Sequence, residues 1–195
     1  MLASAVGGAL LAAGPSLSSA ATGMPTAPVG PPASATPAPS VQPVHAPRIL
    51  VIGDSTTVHM LGWFEAALVA KGLDPTIDAR SGRTTYEGRA VLKGYDLDSF
   101  DYVAVLLGAN GRRANAVRDM RALRASGVDT MATVQAPQRG TVNSAVRQVF
   151  AAQRITWAGY ADSRGIATTD GKHYTAQAYR ARARYIAGQI AERAS

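Results

Sequence analysis

Four short stretches of this chain carry residue types that can do chemistry: Gly53-Asp54-Ser55, Ser81-Gly82-Arg83, Gly108-Ala109-Asn110 and Asp170-Gly171-Lys172-His173. A serine hydroxyl is a weak nucleophile until a base takes its proton, and histidine is the side chain that titrates near neutral pH. The i, i+3 spacing of Asp170 and His173 across a tight turn puts carboxylate and imidazole on one side. There Asp170 can hold the ring and favour its protonated form. Gly82 lets a backbone N–H approach a ligand, and Asn110 offers an amide donor. Each stretch alone has a plainer reading: Asp54 or Ser55 as a helix N-cap, Gly82 and Asn110 as turn residues, Asp170-Gly171 as a turn beside a surface histidine. Together, a nucleophile, a base, an orienting acid and two or three N–H donors are the parts needed for acyl transfer. His59 is a rival base, one helical turn beyond Ser55 on the same face. It has no carboxylate three or four residues away to orient it, so His173 is preferred.

These stretches work only if the fold brings them to one place. Arg48–Gly53 (RILVIG) reads as a fully buried strand, and Thr56–Lys71 as a helix closed by Gly72. Thr76–Ala79, Tyr102–Leu107, Thr130–Gln135 and Ile155–Tyr160 read as further strands. Asn115–Ala125, Val142–Gln153 and Thr175–Arg193 read as helices, the last with Tyr179, Ala183, Ile186 and Ile190 recurring at helical spacing. Strand and helix in alternation predict an α/β domain, a parallel sheet of about five strands covered on both faces. Ligands of such sheets bind at the carboxyl ends of the strands. All four stretches fall at that edge.

Composition bounds the remaining possibilities. The chain has 195 residues and no cysteine, which excludes disulfides, thiolate metal sites and a cysteine nucleophile. No histidine spacing suggests a metal site, and no cofactor is implied. Residues 1–47 hold none of the 33 Asp, Glu, Lys and Arg residues, so the formal net charge of +7 belongs wholly to residues 48–195. Leu2–Ala13 is apolar and too short to span a bilayer, and Ser18-Ser19-Ala20 fits a signal-peptidase site. Residues 1–21 therefore read as a signal peptide that lacks the usual basic start, an uncleaved N-terminal anchor being the alternative. Residues 22–47 read as a Pro- and Ala-rich extended linker carrying eight of the eleven prolines. Residues 48–195 read as the single folded domain, the one that carries the four chemical stretches. Four cations, Arg83, Arg112, Arg113 and Lys172, border the chemical stretches, offset there only by Asp54 and Asp170. In a chain with 17 Arg and 3 Lys this is partly general basicity and partly a candidate rim for an anionic substrate or wall polymer. The basic residues are scattered and match no nucleic-acid-binding motif, so nucleic acid is not expected as a partner. A monomer is expected.

The four stretches, in this order and spacing, resemble the blocks of the SGNH (GDSL-type) hydrolases. Gly53-Asp54-Ser55 resembles the first block, Ser81-Gly82 the second, Gly108-x-Asn110 the third and Asp170-x-x-His173 the last. Asp170-Gly-Lys-His173-Tyr-Thr-x-x-x-Tyr179 is the closest local match. Gly111 after Asn110 and Thr56 after Ser55 depart from the commonest pattern. The resemblance implies a three-layer α/β/α, flavodoxin-like fold and no metal requirement. It also implies that Ser55 attacks an ester carbonyl while His173, oriented by Asp170, takes its proton. The Ser55 and Gly82 N–H groups and the Asn110 side chain would form the oxyanion hole. The expected activity is that of an exported serine esterase for short acyl groups on carbohydrate, cell-wall or small lipid esters. Acyl transfer by the same residues, or a non-catalytic carbohydrate- or wall-binding module of the same fold, are the alternatives.

Overall fold

A computed structural model describes residues 45–110, 113–135 and 139–195. The expected signal peptide and nearly all of the expected linker lie outside the described residues. Four strands, β1 (Arg48–Gly53), β2 (Asp74–Ala79), β3 (Tyr102–Leu106) and β4 (Thr130–Met131), form one parallel sheet in the order β2-β1-β3-β4. Seven α-helices are described: α1 (Ser55–Val58), α2 (Leu61–Val69), α3 (Thr85–Leu92), α4 (Ala116–Arg124), α5 (Arg139–Phe150), α6 (Trp157–Ser163) and α7 (Ala176–Ala194).

The alternating residues of β1 and β3 explain the layers. Ile49, Val51, Ala104 and Leu106 face a core built with Phe64 and Leu68 of α2, Trp157 of α6, and Ala183, Ile186 and Ile190 of α7. Leu50, Ile52, Val103 and Val105 face the opposite core, with Leu92 of α3, Met120 and Leu123 of α4, and Val142, Val146 and Phe150 of α5. Successive side chains of a strand point to opposite faces, so a strand buried on both sides must be apolar throughout. The chain is an α/β protein with a parallel sheet flanked by helices.

The strand order places a switch point at β1 and β3. The chain leaves β1 for β2 on one side and returns to β3 on the other, which opens a crevice at the carboxyl edge. The register matters here. Gly53 pairs with Ala79 on β2 and with Leu106 on β3, so three strands end level. The loops that follow them emerge side by side.

Three local expectations are corrected. The fifth strand is absent among the described residues: Ile155 makes a single parallel bridge to Ala132, and the chain then turns into α6. Trp157 is fully buried and donates its indole N–H to the Tyr174 hydroxyl at 2.9 Å, and this packing outweighs the strand preference of the apolar run. The regular strand β4 is also shorter than expected. The helix expected over Thr56–Lys71 is broken at His59–Met60, where Met60 N–H bonds to the Thr57 carbonyl, leaving α1 a single turn. Helix α3 was not anticipated, although Thr84 and Glu87 form a complete capping box at its start.

Candidate active site

The turn after β1 holds Ser55. Asp54 caps α1, its Oδ1 accepting from the Thr56 N–H at 2.9 Å and the Thr56 hydroxyl at 2.7 Å. The plain N-cap reading therefore belongs to Asp54, and the Ser55 side chain is left for other work. Gly53 makes the tight turn possible, because a Cβ there would lie 2.4 Å from Thr57. Ser55 is itself largely buried.

The candidate base comes from the other end of the chain. Ser55 Oγ lies 3.1 Å from His173 Nε2, and His173 Nδ1 lies 2.7 Å from Asp170 Oδ2. The second Asp170 oxygen accepts from the backbone N–H of His173 at 2.7 Å and of Lys172 at 2.9 Å. These contacts, the His173 side chain first, hold the Asp170 carboxyl well below the usual carboxylate range. An ionised Asp170 accepts the Nδ1 proton of a neutral His173, which leaves the Nε2 lone pair facing the serine. The turn also closes on itself, since the Thr169 N–H donates to the His173 carbonyl at 2.6 Å. Tyr174 beside it is buried under the Trp157 N–H, and burial raises the Tyr174 hydroxyl above its ordinary pKa. Thr175 caps α7 immediately afterwards.

The donors expected for an oxyanion stand at the neighbouring strand ends. Gly82 has φ +76°, a left-handed conformation that a side chain would strain. No hydrogen bond among the described residues takes up the N–H of Ser55 or of Gly82. The Asn110 side-chain oxygen lies 3.4 Å from Lys172 Nζ, and its buried Nδ2 has no partner among the described residues. An ammonium can only donate, so the contact fixes which end of the amide is the free donor.

His59 is exposed, with its ring edge-on to His173 at 5.2 Å between centroids and 5.4 Å from Tyr179. Its backbone N–H donates to the Ser55 carbonyl at 3.0 Å, while its imidazole flanks that of His173 and makes no hydrogen bond to the Ser55 hydroxyl among the described residues.

The cationic rim is redrawn. Arg83 is not on it: 4% exposed, it pairs with Asp78 Oδ1 at 2.6 Å and donates to the carbonyls of Asp78 at 2.5 Å and Gly53 at 3.3 Å. A buried guanidinium whose two terminal nitrogens bond to carbonyls and a carboxylate braces the ends of β1 and β2 and has no surface for a substrate. Arg112 lies outside the described residues, and Arg113 opens a short 3₁₀ turn, Arg113–Asn115. Lys172 touches Asn110.

Two polar groups beneath and beside the site were not anticipated. Arg182 on α7 is fully buried, 3.5 Å from the Thr56 carbonyl and 3.3 Å from Met60 Sδ, with its guanidinium over the Trp157 ring. Burial lowers its pKa, while Tyr174, Asp54 and Tyr179 nearby oppose that shift. Its place on the stripe of Tyr179, Ala183 and Ile186 was the available signal, since position 182 follows Tyr179 by three residues. Gln135, just past β4, is buried and bonded to Asp162.

No protein-family model and no curated protein matches the chain by sequence. Solved structures do match it in shape. The C-terminal catalytic domain of the peptidoglycan O-acetyltransferase A of Streptococcus pneumoniae superposes with a TM-score of 0.60 at 19% identity, covering 75% of this chain and 92% of that one. An α/β hydrolase from the metagenome of Lake Arreo gives 0.62 at 15% identity, covering 74% and 94%. A candidate GDSL-like lipase from Parabacteroides merdae gives 0.52 at 13% identity, with the same coverage of 74% and 94%. The chain thus has the SGNH hydrolase fold. Among the described residues no helix is long and apolar enough to cross a membrane.

Proposed function

We propose that the protein is an exported serine esterase that cleaves short-chain acyl esters through an acyl-enzyme on Ser55. One observation carries this reading: an unbroken line of contacts from Ser55 Oγ to His173 Nε2 at 3.1 Å and from His173 Nδ1 to Asp170 at 2.7 Å. In the first step Ser55 Oγ bonds to the ester carbonyl carbon as its proton passes to His173 Nε2. Asp170 stabilises the imidazolium that forms. The carbonyl oxygen takes the negative charge, facing the Ser55 and Gly82 N–H groups and Asn110 Nδ2. The intermediate then expels the alcohol, which leaves with the proton held by His173. Water, deprotonated by the same imidazole, attacks the acyl-enzyme and returns the free acid and Ser55. Acetyl-sized groups on carbohydrate, wall-polymer or small lipid alcohols are the substrates this reading favours.

A second reading replaces water with another alcohol in the last step. Structural likeness to a peptidoglycan O-acetyltransferase domain supports it, because the same residues serve both outcomes. The signal-peptide-like N-terminus supports a place outside the cell or in its envelope.

The test is labelling with a fluorophosphonate probe followed by peptide mapping. Covalent attachment at Ser55, lost in Ser55→Ala, is the expected result, together with release of p-nitrophenol from the acetate ester. An unlabelled, inactive but folded protein would instead identify a binding module. Product analysis with an added sugar alcohol separates hydrolysis from transfer.

A further inference from the structure

Beside the His173 turn, at the carboxyl end of β4, lies a cavity of about 450 Å³ bordered by Gln135, Arg139, Asp162, Ile166, Thr168 and Gly171. Gly171 belongs to the Asp170–His173 turn, so the cavity shares a wall with the base. Its floor is unusual. Gln135 is 7% exposed, and its Nε2 donates to Asp162 Oδ1 at 2.9 Å and to the Ile166 carbonyl at 3.2 Å. Both partners accept, so the amide can be oriented in only one way. That orientation leaves the buried Gln135 Oε1 with no hydrogen-bond partner among the described residues. A buried acceptor left unmatched is unfavourable, and a ligand that supplies a donor relieves it. Arg139, half exposed, donates to the same Asp162 oxygen at 3.1 Å.

We propose that this cavity is the alcohol subsite and takes the hydroxyl groups of a carbohydrate, the sugar whose acyl ester is cleaved at Ser55. The inference rests on the reading of Ser55 as an acyl-accepting nucleophile. Three features select the ligand class. A sugar hydroxyl donates and accepts at once, which suits a wall offering an amide oxygen, a carboxylate and a guanidinium side by side. An alkyl chain would leave all three unmatched. A phosphate or carboxylate would meet Asp162 and an acceptor-only amide. Position selects the leaving-group side. His173 must hand its proton to the departing alcohol, so that alcohol lies toward the imidazole and its turn.

The experiment uses the full chain, p-nitrophenyl acetate, and O-acetylated oligosaccharides of glucose, xylose and N-acetylglucosamine. Gln135→Leu removes the buried acceptor. Ala167→Trp, at an exposed position on the cavity edge, fills the space from the solvent side without entering the core. In both variants the ratio of kcat/KM for the preferred oligosaccharide acetate to that for p-nitrophenyl acetate is expected to fall at least about tenfold, mainly through KM. An unchanged ratio in Ala167→Trp overturns the proposal, even where Gln135→Leu folds poorly. So does a wild-type protein that labels at Ser55 and cleaves the aryl ester but none of the oligosaccharide acetates. Absence of Ser55 labelling instead overturns the esterase reading. In that event failure of the same oligosaccharides to bind Ser55→Ala by calorimetry removes the subsite as well.

Discussion

The candidate nucleophile and the candidate base are held in opposite ways. Ser55 opens the one-turn helix α1, directly after a strand buried from Ile49 to Gly53, with Asp54 as the helix cap and the buried guanidinium of Arg182 beneath. His173 and Asp170 sit in a surface turn, with side chains 33% and 54% exposed, held by contacts among residues 169–173 and by the buried Tyr174 beside them. Global packing fixes the serine, while a local hydrogen-bonded turn fixes the histidine. A lesion beneath Ser55 should therefore disturb folding and catalysis together, and one in the His173 turn should disturb catalysis far more than folding.

The sharpest way to break this comparison is at the base. His173→Ala is expected to lower kcat by about 10⁴–10⁶-fold with little change in Tm. His59→Ala, beside it but outside the line of contacts to Ser55, keeps most of the activity. Steady-state hydrolysis of p-nitrophenyl acetate separates the two, and the reverse pattern would transfer the base to His59. At the oxyanion side, Asn110→Ala is expected to cost about 10²–10³-fold in kcat with a small change in KM, because the lost donor acts on charge that develops only in the transition state. Equal losses in kcat and in affinity for the ground state would assign Asn110 to substrate binding.

Stability should respond in the opposite order. Arg182→Met is expected to lower stability by about 1–3 kcal/mol, since the buried Asp54 carboxylate loses a nearby positive charge and the Thr56 carbonyl loses a donor. Urea unfolding measures it, and a variant as stable as wild type would show that the segment around Ser55 does not depend on Arg182. Asp170→Asn should shift stability less, and in a pH-dependent way. The folded Asp170 carboxyl is held below its ordinary pKa, so its contribution is present above the unfolded value of about 4 and is lost as pH falls through the folded value. The Tm gap between wild type and Asp170→Asn should thus be open at neutral pH and narrow below about pH 4. A gap that widens on acidification would contradict the Asp170–His173 pairing.

Much of the candidate site was legible because each element of it is local. Gly53-Asp54-Ser55, Gly82, Asn110 and Asp170-x-x-His173 each occupy a few consecutive positions directly after a strand or before a helix. What escaped reading depends on distant partners. Arg83 looked like a rim cation because its partners lie 5 and 30 residues away in the chain, at Asp78 and Gly53. Gln135 looked like the last residue of a strand because Asp162 and Ile166 approach it from 27 and 31 residues further on. The run Ile155–Tyr160 has strand-like residue types over a length too short for periodicity to decide. The aromatic packing of Trp157 decided it instead. Helix α3 is a different matter: the Thr84-x-x-Glu87 capping box stood in the sequence unread.

Local chemistry therefore belongs to the order of residues in this chain: which strands are apolar on both faces, where they stop, that a serine, a glycine and an asparagine follow at their ends, and that an Asp–His pair stands before the last helix. Distance and burial belong to the folded chain. A separation of 118 residues between Ser55 and His173 closes to 3.1 Å only because the strands end in register and α7 packs back beneath β1. Whether a charged side chain is buried against carbonyls, as Arg83 and Arg182 are, or left at the surface depends on which elements pack over it. Pattern within a strand or turn carries no information about that, because burial is a property of neighbours that the chain reaches only after folding.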